Sequence, residues 1–433
     1  MTTKNMPFPV QAHAPTLRPG LVLGACLLLF MVAASLSALR VNVTQGFDEL
    51  AHLSYVAEIQ DANGAAVPLE RLRLLDPATM QWTDNDNYLN HPAPYYQLMA
   101  AMAPRLTGAG PGAVIILHFA NVAIVGIGLL LMLGCGRGLV RADAEWIALA
   151  LNLCCVRLLI ELAGAVNNDN LAFLGSGALL FGLGRYLRRG ALGDLLLACI
   201  GLIVASLAKL TGLMLCGGTL AALLMLLVWT GKRMPLLHLG VVLLAFAVAA
   251  WPFVAFWLAY GSPAPDTFAQ QSLLRDGAAA AGWAGQARMG FPAYVMMFLT
   301  SFVEGWMPVL SERTGLQWGA LAIPACMLIL AMDGIRRAGV AVLVQRRRDP
   351  LAMLILAGGA AAAGVMLVHI LFSYQRHLAT GWMMDAYPRY YLPLLPIVPL
   401  AALYAIRSLP DARHRRLARG LMAGAPLLFA LIG

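Results

Sequence analysis

Acids, histidines and tyrosines crowd into one stretch of an otherwise aliphatic chain. Gly46-Phe47-Asp48-Glu49-Leu50-Ala51-His52-Leu53-Ser54-Tyr55 opens the stretch, and Asn90-His91-Pro92-Ala93-Pro94-Tyr95-Tyr96 closes it. A helix starting near Asp48 sets Asp48, His52 and Tyr55 on one face at i, i+4 and i+7. Leu50, Leu53, Val56 and Ala57 then fall largely on other faces, which suits a helix lying along a membrane surface with its polar side turned inward. The plainer reading is that Asp48 and Glu49 complement the positive end of a helix dipole, and spacing alone leaves both open.

Later segments add partners. Asp169 stands in Asn167-Asn168-Asp169-Asn170, a turn rich in capping residues between two apolar runs. Two carboxylates at one membrane level suit proton removal from an acceptor and binding of a metal or a substrate hydroxyl. Lys209 and Arg389 stand at the ends of apolar runs; each suits snorkelling to the interface, and together they suit a grip on phosphate. Arg157 and Glu161 are one turn apart and read as an internal ion pair. His118, His238 and His369 read as isolated on apolar helices, each satisfied by a hydrogen-bond partner. Glu304, in Phe302-Val303-Glu304-Gly305-Trp306, suits either a site lining or a helix cap. A metal site of His52, His91 and Glu304 draws no support from spacing.

The elements that must position these residues are membrane helices. In 433 residues, 60% are hydrophobic and 12% charged, and apolar runs recur near the spanning length. The expectation is an all-α, polytopic transmembrane bundle of about 10–11 spans, forming a single domain over residues 1–433. The expected spans are 21–39, 112–134, 144–165, 168–187, 193–208, 211–230, 236–260, 316–334, 351–373 and 390–407, with a short apolar stretch at 421–433. The net charge of +9 is distributed as short clusters between spans, which is a topology signal, and nucleic acid drops out as a partner. The seven cysteines lie in or beside apolar segments with no metal-ligand spacing. With the N-terminus inside, the clusters at Arg137/Arg141, Arg185/Arg188/Arg189, Lys232/Arg233, Arg346/Arg347/Arg348 and Arg413/Arg415/Arg416 face the cytoplasm. Asp48, Asp169, Lys209, Glu304 and Arg389 then share the extracytoplasmic face. A transfer reaction there needs a donor carried through the membrane. The outer loop 40–111 is expected to hold two juxtamembrane helices, near 48–60 and 94–104, around an irregular polar segment. The loop 261–315 has small-residue sequence suited to a lid.

Taken together and in order, these motifs resemble the GT-C superfamily of membrane glycosyltransferases. The closest look is to the bacterial protein O-mannosyltransferase and lipid A aminoarabinose transferase type (glycosyltransferase family 39-like). The resemblance rests on Asp48-Glu49 followed by His52 and Tyr55, on His91-Pro92-Ala93-Pro94-Tyr95-Tyr96, on Asn168-Asp169, on Ala208-Lys209-Leu210-Thr211-Gly212, and on Arg389-Tyr390 opening a proline-containing late span. It implies a polyprenyl-phosphate sugar donor and a glycan, lipid or protein acceptor, with Asp48 as catalytic base and Asp169 as a second catalytic residue that supports acceptor or metal binding. It implies substrate contacts from Glu49, His52, Tyr55, His91, Tyr95, Lys209, Glu304, Arg389 and Tyr390, with His91, Lys209 and Arg389 on the phosphate. It places the protein in a bacterial inner membrane with its site facing the periplasm. Asn90 stands where many relatives have an acid, Ala93 replaces a proline, and the soluble C-terminal domain of many relatives is not in the sequence. No cofactor is assigned, and a divalent metal is left open. Two other readings compete: a transporter or flippase of lipid-linked saccharides, and an O-antigen polymerase or ligase using Arg275, Arg288 and Arg313.

Overall fold

The computed structural model describes residues 19–40, 42–44, 46–109, 112–305, 322–383 and 385–432. Helices dominate: α1 (Pro19–Arg40), α2 (Glu49–Asp61), α3 (Pro94–Met102), α4 (Gly112–Leu139), α5 (Asp143–Cys154), α6 (Arg157–Ala163), α7 (Asp169–Arg189) and α8 (Leu192–Ala208). They continue as α9 (Leu210–Trp229), α10 (Leu236–Tyr260), α11 (Phe268–Ala280), α12 (Phe291–Glu304), α13 (Ala322–Gly339), α14 (Pro350–Thr380), α15 (Ile397–Arg407) and α16 (Ala412–Ile432). The protein is an integral, multi-pass helical membrane protein. Among the described residues, five helices are long and apolar enough to cross a membrane, and up to seven spans result when two bent pairs are counted. The expected count is higher because α8 is short, α7 ends in Arg185, Arg188 and Arg189, and the expected 316–334 span begins outside the described residues. The expected 144–165 span is two helices, α5 and α6, meeting at 55°.

Small residues set how closely the helices approach. On α1, Cys26, Phe30, Ala34 and Ala38 recur every fourth residue and are buried, while Leu21, Leu28, Leu29 and Leu36 are exposed, as a lipid-facing side must be. A Cβ on Gly164 would lie 2.8 Å from the Ala38 backbone nitrogen, so the chain leading into α7 lies directly against α1. Helices α7 and α8 meet through Gly175, Gly182 and Gly201, whose absent Cβ atoms would strike the facing backbone at Ala205, Ala198 and Leu179. This contact fixes Asp169, the first residue of α7, relative to Lys209, the residue after the end of α8.

The two ends of the bundle differ in chemistry. α7 runs from Asp169 to Arg189, and α9 runs from just after Lys209 to Trp229. At the basic end, Arg348 donates to the Thr230 carbonyl at 2.9 Å, and Arg407 and Arg419 reach the buried Glu145 at 2.8 and 3.1 Å. The acids, histidines and tyrosines of the 46–96 stretch sit at the other end. Arg157 and Glu161 form the expected ion pair, Nε to Oε1 at 2.9 Å.

Two expectations for the 46–96 stretch need correction. α2 does not lie on the surface: Ala51, Leu53, Val56, Ala57 and Ile59 are all buried, because α3 and a small hairpin cover the faces that a membrane-surface helix would expose. The intervening segment is also not irregular. Strands β1 (Arg73–Leu75) and β2 (Trp82–Asp86) pair antiparallel. The turn between them is held by Asp76 Oδ1, which accepts from the amides of Ala78 and Thr79 at 3.0 and 2.8 Å.

Candidate active site

Three consecutive residues with positive φ deliver Asp48: Gly46 at 127°, Phe47 at 55° and Asp48 at 58°. Glycine enters this region freely, but phenylalanine there is strained by about 1–3 kcal/mol and persists only when neighbours over-determine it. Asn167 supplies that constraint. Its Nδ2 donates to the Phe47 carbonyl at 2.7 Å and to His52 Nε2 at 3.0 Å, while its Oδ1 accepts from the Asp169 amide at 2.8 Å. One asparagine therefore ties the turn before Asp48 to the start of α7. Asp48 makes no capping hydrogen bond to α2, so the helix-dipole reading does not account for where its side chain points.

Its carboxylate is instead directed at cations and a phenol. Asp48 Oδ2 accepts from Arg389 Nη2 at 2.6 Å, and Oδ1 accepts from the Tyr88 hydroxyl at 3.2 Å. Arg389 Nε lies 3.5 Å from Asp169 Oδ2, and Lys209 Nζ donates to Asp169 Oδ1 at 2.8 Å. Lys209 also sits over the Tyr390 ring, 3.7 Å from its centroid. Lys209 reaches this position because the chain is extended there, between the end of α8 and the start of α9. Two carboxylates thus face two cations, and the four-residue set carries no net charge.

Burial alone would raise the Asp48 carboxyl, but the adjacent Arg389 guanidinium, with help from His52 and Lys209, holds it below the usual carboxylate range. Burial pushes His52 down to about 3, and the two nearby cations add to the effect against the opposing acids. The His52 imidazole is therefore neutral. Because Nε2 accepts from Asn167, its proton sits on Nδ1, which donates to the Tyr96 hydroxyl at 2.9 Å. His91, stacked on His52 with centroids 6.0 Å apart, is likewise held neutral by burial and by the cations.

A cavity of about 610 Å³ opens onto this cluster. Asp48, His52, His91, Lys209, Arg389 and Tyr390 line it. Asp48 is open to it, with 41% of its side chain exposed. Asp169 does not line the cavity; it lies behind Lys209 and Arg389, 3% exposed, and holds both. Glu49 is directed away: its Oε1 accepts from the Val166 amide and pairs with His118 Nε2, both at 2.7 Å, which joins α2 to α4 and α7. Tyr55 stacks on Tyr96 at 3.9 Å, and Tyr95 donates to Asn121 at 2.9 Å, so both are packing residues behind the wall. Glu304 closes α12 and is not among the lining residues.

The cavity has a second polar side that the sequence reading passed over. His369, Ser373 and Arg376 line it from α14, with Asp385 and Tyr387 beyond the helix end. Their spacing, i, i+4 and i+7 on one face, was the available signal, and it matches that of Asp48, His52 and Tyr55. It passed unnoticed because His369 was read as a lone histidine on an apolar helix. His369 does find hydrogen-bond partners, its nitrogens meeting the Tyr391 hydroxyl at 3.1 Å and the Asp385 carbonyl at 2.8 Å, but it lines the cavity as well.

Among the described residues no three His, Cys, Asp or Glu side chains converge as ligands. Glu304 does not join His52 and His91, and the Asp48 and Asp169 carboxylates are turned to Arg389 and Lys209.

No family model and no curated protein matches the sequence. Solved structures do match its fold. The oligosaccharyltransferase of Archaeoglobus fulgidus, in its apo form, superposes with a TM-score of 0.50 at 14% identity, over 93% of this chain and 55% of its own. ArnT of Cupriavidus metallidurans, bound to undecaprenyl phosphate, superposes with a TM-score of 0.53 at 16% identity, over 92% of this chain and 61% of its own. The chain has the GT-C fold. It spans somewhat more than half the length of these two glycosyltransferases, so the GT-C likeness defines architecture, and residue roles must be argued from the cavity itself.

Proposed function

We propose that this GT-C chain is a membrane glycosyltransferase moving a sugar from a polyprenyl-phosphate donor to an acceptor hydroxyl on the extracytoplasmic side. The observation that carries the reading is the Asp48–Arg389–Asp169–Lys209 set at the rim of a cavity with an apolar flank of Met214, Phe253, Val365, Val368 and Phe372. Cations beside an apolar wall suit a lipid phosphate. An ionised carboxylate open to the same space suits the removal of a proton.

In the proposed step the acceptor oxygen attacks the anomeric carbon as the bond from that carbon to the phosphate oxygen breaks, and the configuration inverts. The acceptor proton passes to Asp48. The electron pair leaves with the polyprenyl phosphate, whose charge Lys209 and Arg389 stabilise. An arriving phosphate competes with Asp48 for Arg389, so donor binding would release the base from its ion pair and raise its basicity. Asp169, fixed behind the cations, keeps them from following the leaving group.

The orientation follows the positive-inside argument, since the basic clusters gather at the end of the bundle away from the cavity. A bacterial inner membrane, with the site open to the periplasm, fits the same argument. The polymerase or ligase alternative draws less support, because Arg275 and Arg288 do not line the cavity and Arg313 lies outside the described residues. The transporter alternative needs charges through the middle of several spans, and Arg157 is paired with Glu161. The test is transfer of labelled sugar by the purified protein from a panel of polyprenyl-phosphate sugars, together with a reporter placed in the 62–66 loop. Transfer with an externally accessible reporter supports the reading; a cytoplasmic reporter overturns the sidedness, and no transfer from any donor overturns the activity.

A further inference from the structure

A second part of the cavity lining, away from the Asp48–Arg389 pair in the contacts it makes, is built differently. Arg376 donates through Nη2 and Nε to the two Asp266 oxygens at 2.5 and 3.3 Å, and through Nη1 to Asp385 Oδ2 at 3.3 Å. With its amide oriented to satisfy its neighbours, Gln270 donates to Asp266 at 3.3 Å and accepts from Arg376 at 3.1 Å. Beside them Ser373 lines the cavity and is 1% exposed; its Oγ faces the buried Tyr294 hydroxyl, and neither oxygen has a hydrogen bond of normal geometry.

This side differs in charge as well as position. One guanidinium meets two carboxylates, giving a net charge of −1, whereas the Lys209/Arg389 side sums to zero. A phosphate therefore has no reason to sit here. Alternating fixed donors and acceptors in planar groups are what hydroxyl groups need, because each hydroxyl both donates and accepts. Arg376 has five N–H donors and its protein partners do not use all of them.

We propose that Arg376, Asp385, Gln270 and Ser373, with Asp266 holding Arg376 from outside the lining, form the compartment that receives the glycosyl group of the donor, and that it takes an uncharged, hydroxyl-bearing sugar and rejects a uronic acid. The inference rests on the transferase reading for the identity of the lipid carrier. The rejection has a physical source: a sugar carboxylate would lie beside Asp385 and next to an Arg376 already paired with both Asp385 and Asp266.

Binding separates this claim from the transferase claim. Full-length protein in detergent is titrated with undecaprenyl phosphate, with a panel of its neutral glycosyl esters (glucosyl, mannosyl, galactosyl, arabinosyl), and with its glucuronosyl ester. The wild type is expected to bind at least one neutral ester about tenfold or more tighter than bare undecaprenyl phosphate, and the glucuronosyl ester no tighter than the bare lipid. Ser373→Ala, which removes one hydroxyl and disturbs no ion pair, is expected to cut the neutral preference about fivefold. Asp385→Asn is expected to cut it by about tenfold and to improve glucuronosyl binding, both with bare-lipid affinity unchanged within about twofold. The proposal is overturned if no neutral ester outbinds the bare lipid, if the glucuronosyl ester binds as well as the neutral ones, or if both variants keep the wild-type preference. Preference without any sugar transfer would leave the compartment standing and sink the transferase reading.

Discussion

Replacing Asp48 with asparagine separates chemistry from folding, because the backbone at this position tolerates the change. Asp48 sits at φ 58° and ψ 27°, where asparagine is among the best accommodated of the non-glycine residues. The amide oxygen still accepts one of the two contacts, from Tyr88 at 3.2 Å or from Arg389 at 2.6 Å. The lost ion pair is partly open to solvent, with 41% of the Asp48 side chain exposed, and Arg389 keeps Asp169 close by. The expected loss of stability is therefore about 1 kcal/mol or less. Loss of a general base lowers transfer by about 10²- to 10⁴-fold, equivalent to about 3–5 kcal/mol of transition-state stabilisation.

Asp48→Ala should lose the same activity and an additional ~1 kcal/mol of stability, since alanine gains nothing at positive φ. The assay is transfer from a donor the wild type uses, at saturating and limiting donor, alongside thermal unfolding in the same detergent. If Asp48→Asn transfers sugar within tenfold of wild type, Asp48 is not the base and the reasoning from the Arg389 contact fails. If its activity falls only in proportion to a fall in the folded fraction, the carboxylate is structural.

Other expectations follow from the same geometry. His52 is neutral in the folded state down to about pH 3, whereas an unfolded histidine takes its proton near 6.5. The unfolded state therefore binds the extra proton between these limits, so stability is complete above about pH 6.5 and declines as pH falls toward 3; denaturant titrations of His52→Gln should show a flatter acid limb. Glu49→Leu removes the carboxylate that pairs with His118 and accepts from Val166, and should destabilise the fold by about 3–5 kcal/mol in thermal unfolding, unlike any change at Asp48. Gly175→Ala drives a Cβ into the Ala205 and Gly201 backbone, which should cost about 1–3 kcal/mol, and transfer by the fraction that still folds should also fall, because Asp169 and Lys209 shift relative to one another.

The membrane bundle was legible because spanning length, apolar composition and clustered arginines act over whole segments and survive averaging. The convergence of Asp48, Lys209 and Arg389 was legible for a related reason: polar groups at the ends of apolar runs end up at one membrane level. What pattern could not separate was inward from outward within α2. Glu49 and Asp48 are neighbours of the same type, yet Asp48 opens into the cavity and Glu49 pins α4, because the positive-φ turn at 46–48 rotates them apart. Periodicity assumes helical dihedrals and fails one residue before the helix begins. Tyr55 was misplaced for another reason. Its face of the helix is polar by residue type, but Tyr96 stacks across it, and an aromatic hydroxyl satisfies a packing role as readily as a binding role. The hairpin at 73–86 escaped notice because its strands are three and five residues long, too short to show alternation.

The placement of strain accounts for why the acids are useful at all. A carboxylate that is simply buried near arginine forms an ion pair and stays there, as Glu145 does with Arg407 and Arg419. Asp48 is held differently. Its backbone is fixed by Asn167 and by the adjoining helix, so its position does not depend on Arg389, and its open side faces the cavity. Asp169 is fixed by the start of α7 and grips the cations from behind. An anion entering the cavity can therefore take over Arg389 from the front without dismantling either acid. Zero net charge in the resting set and independent backbone anchors for each member are the two conditions that let one ion pair open while the rest of the site keeps its shape.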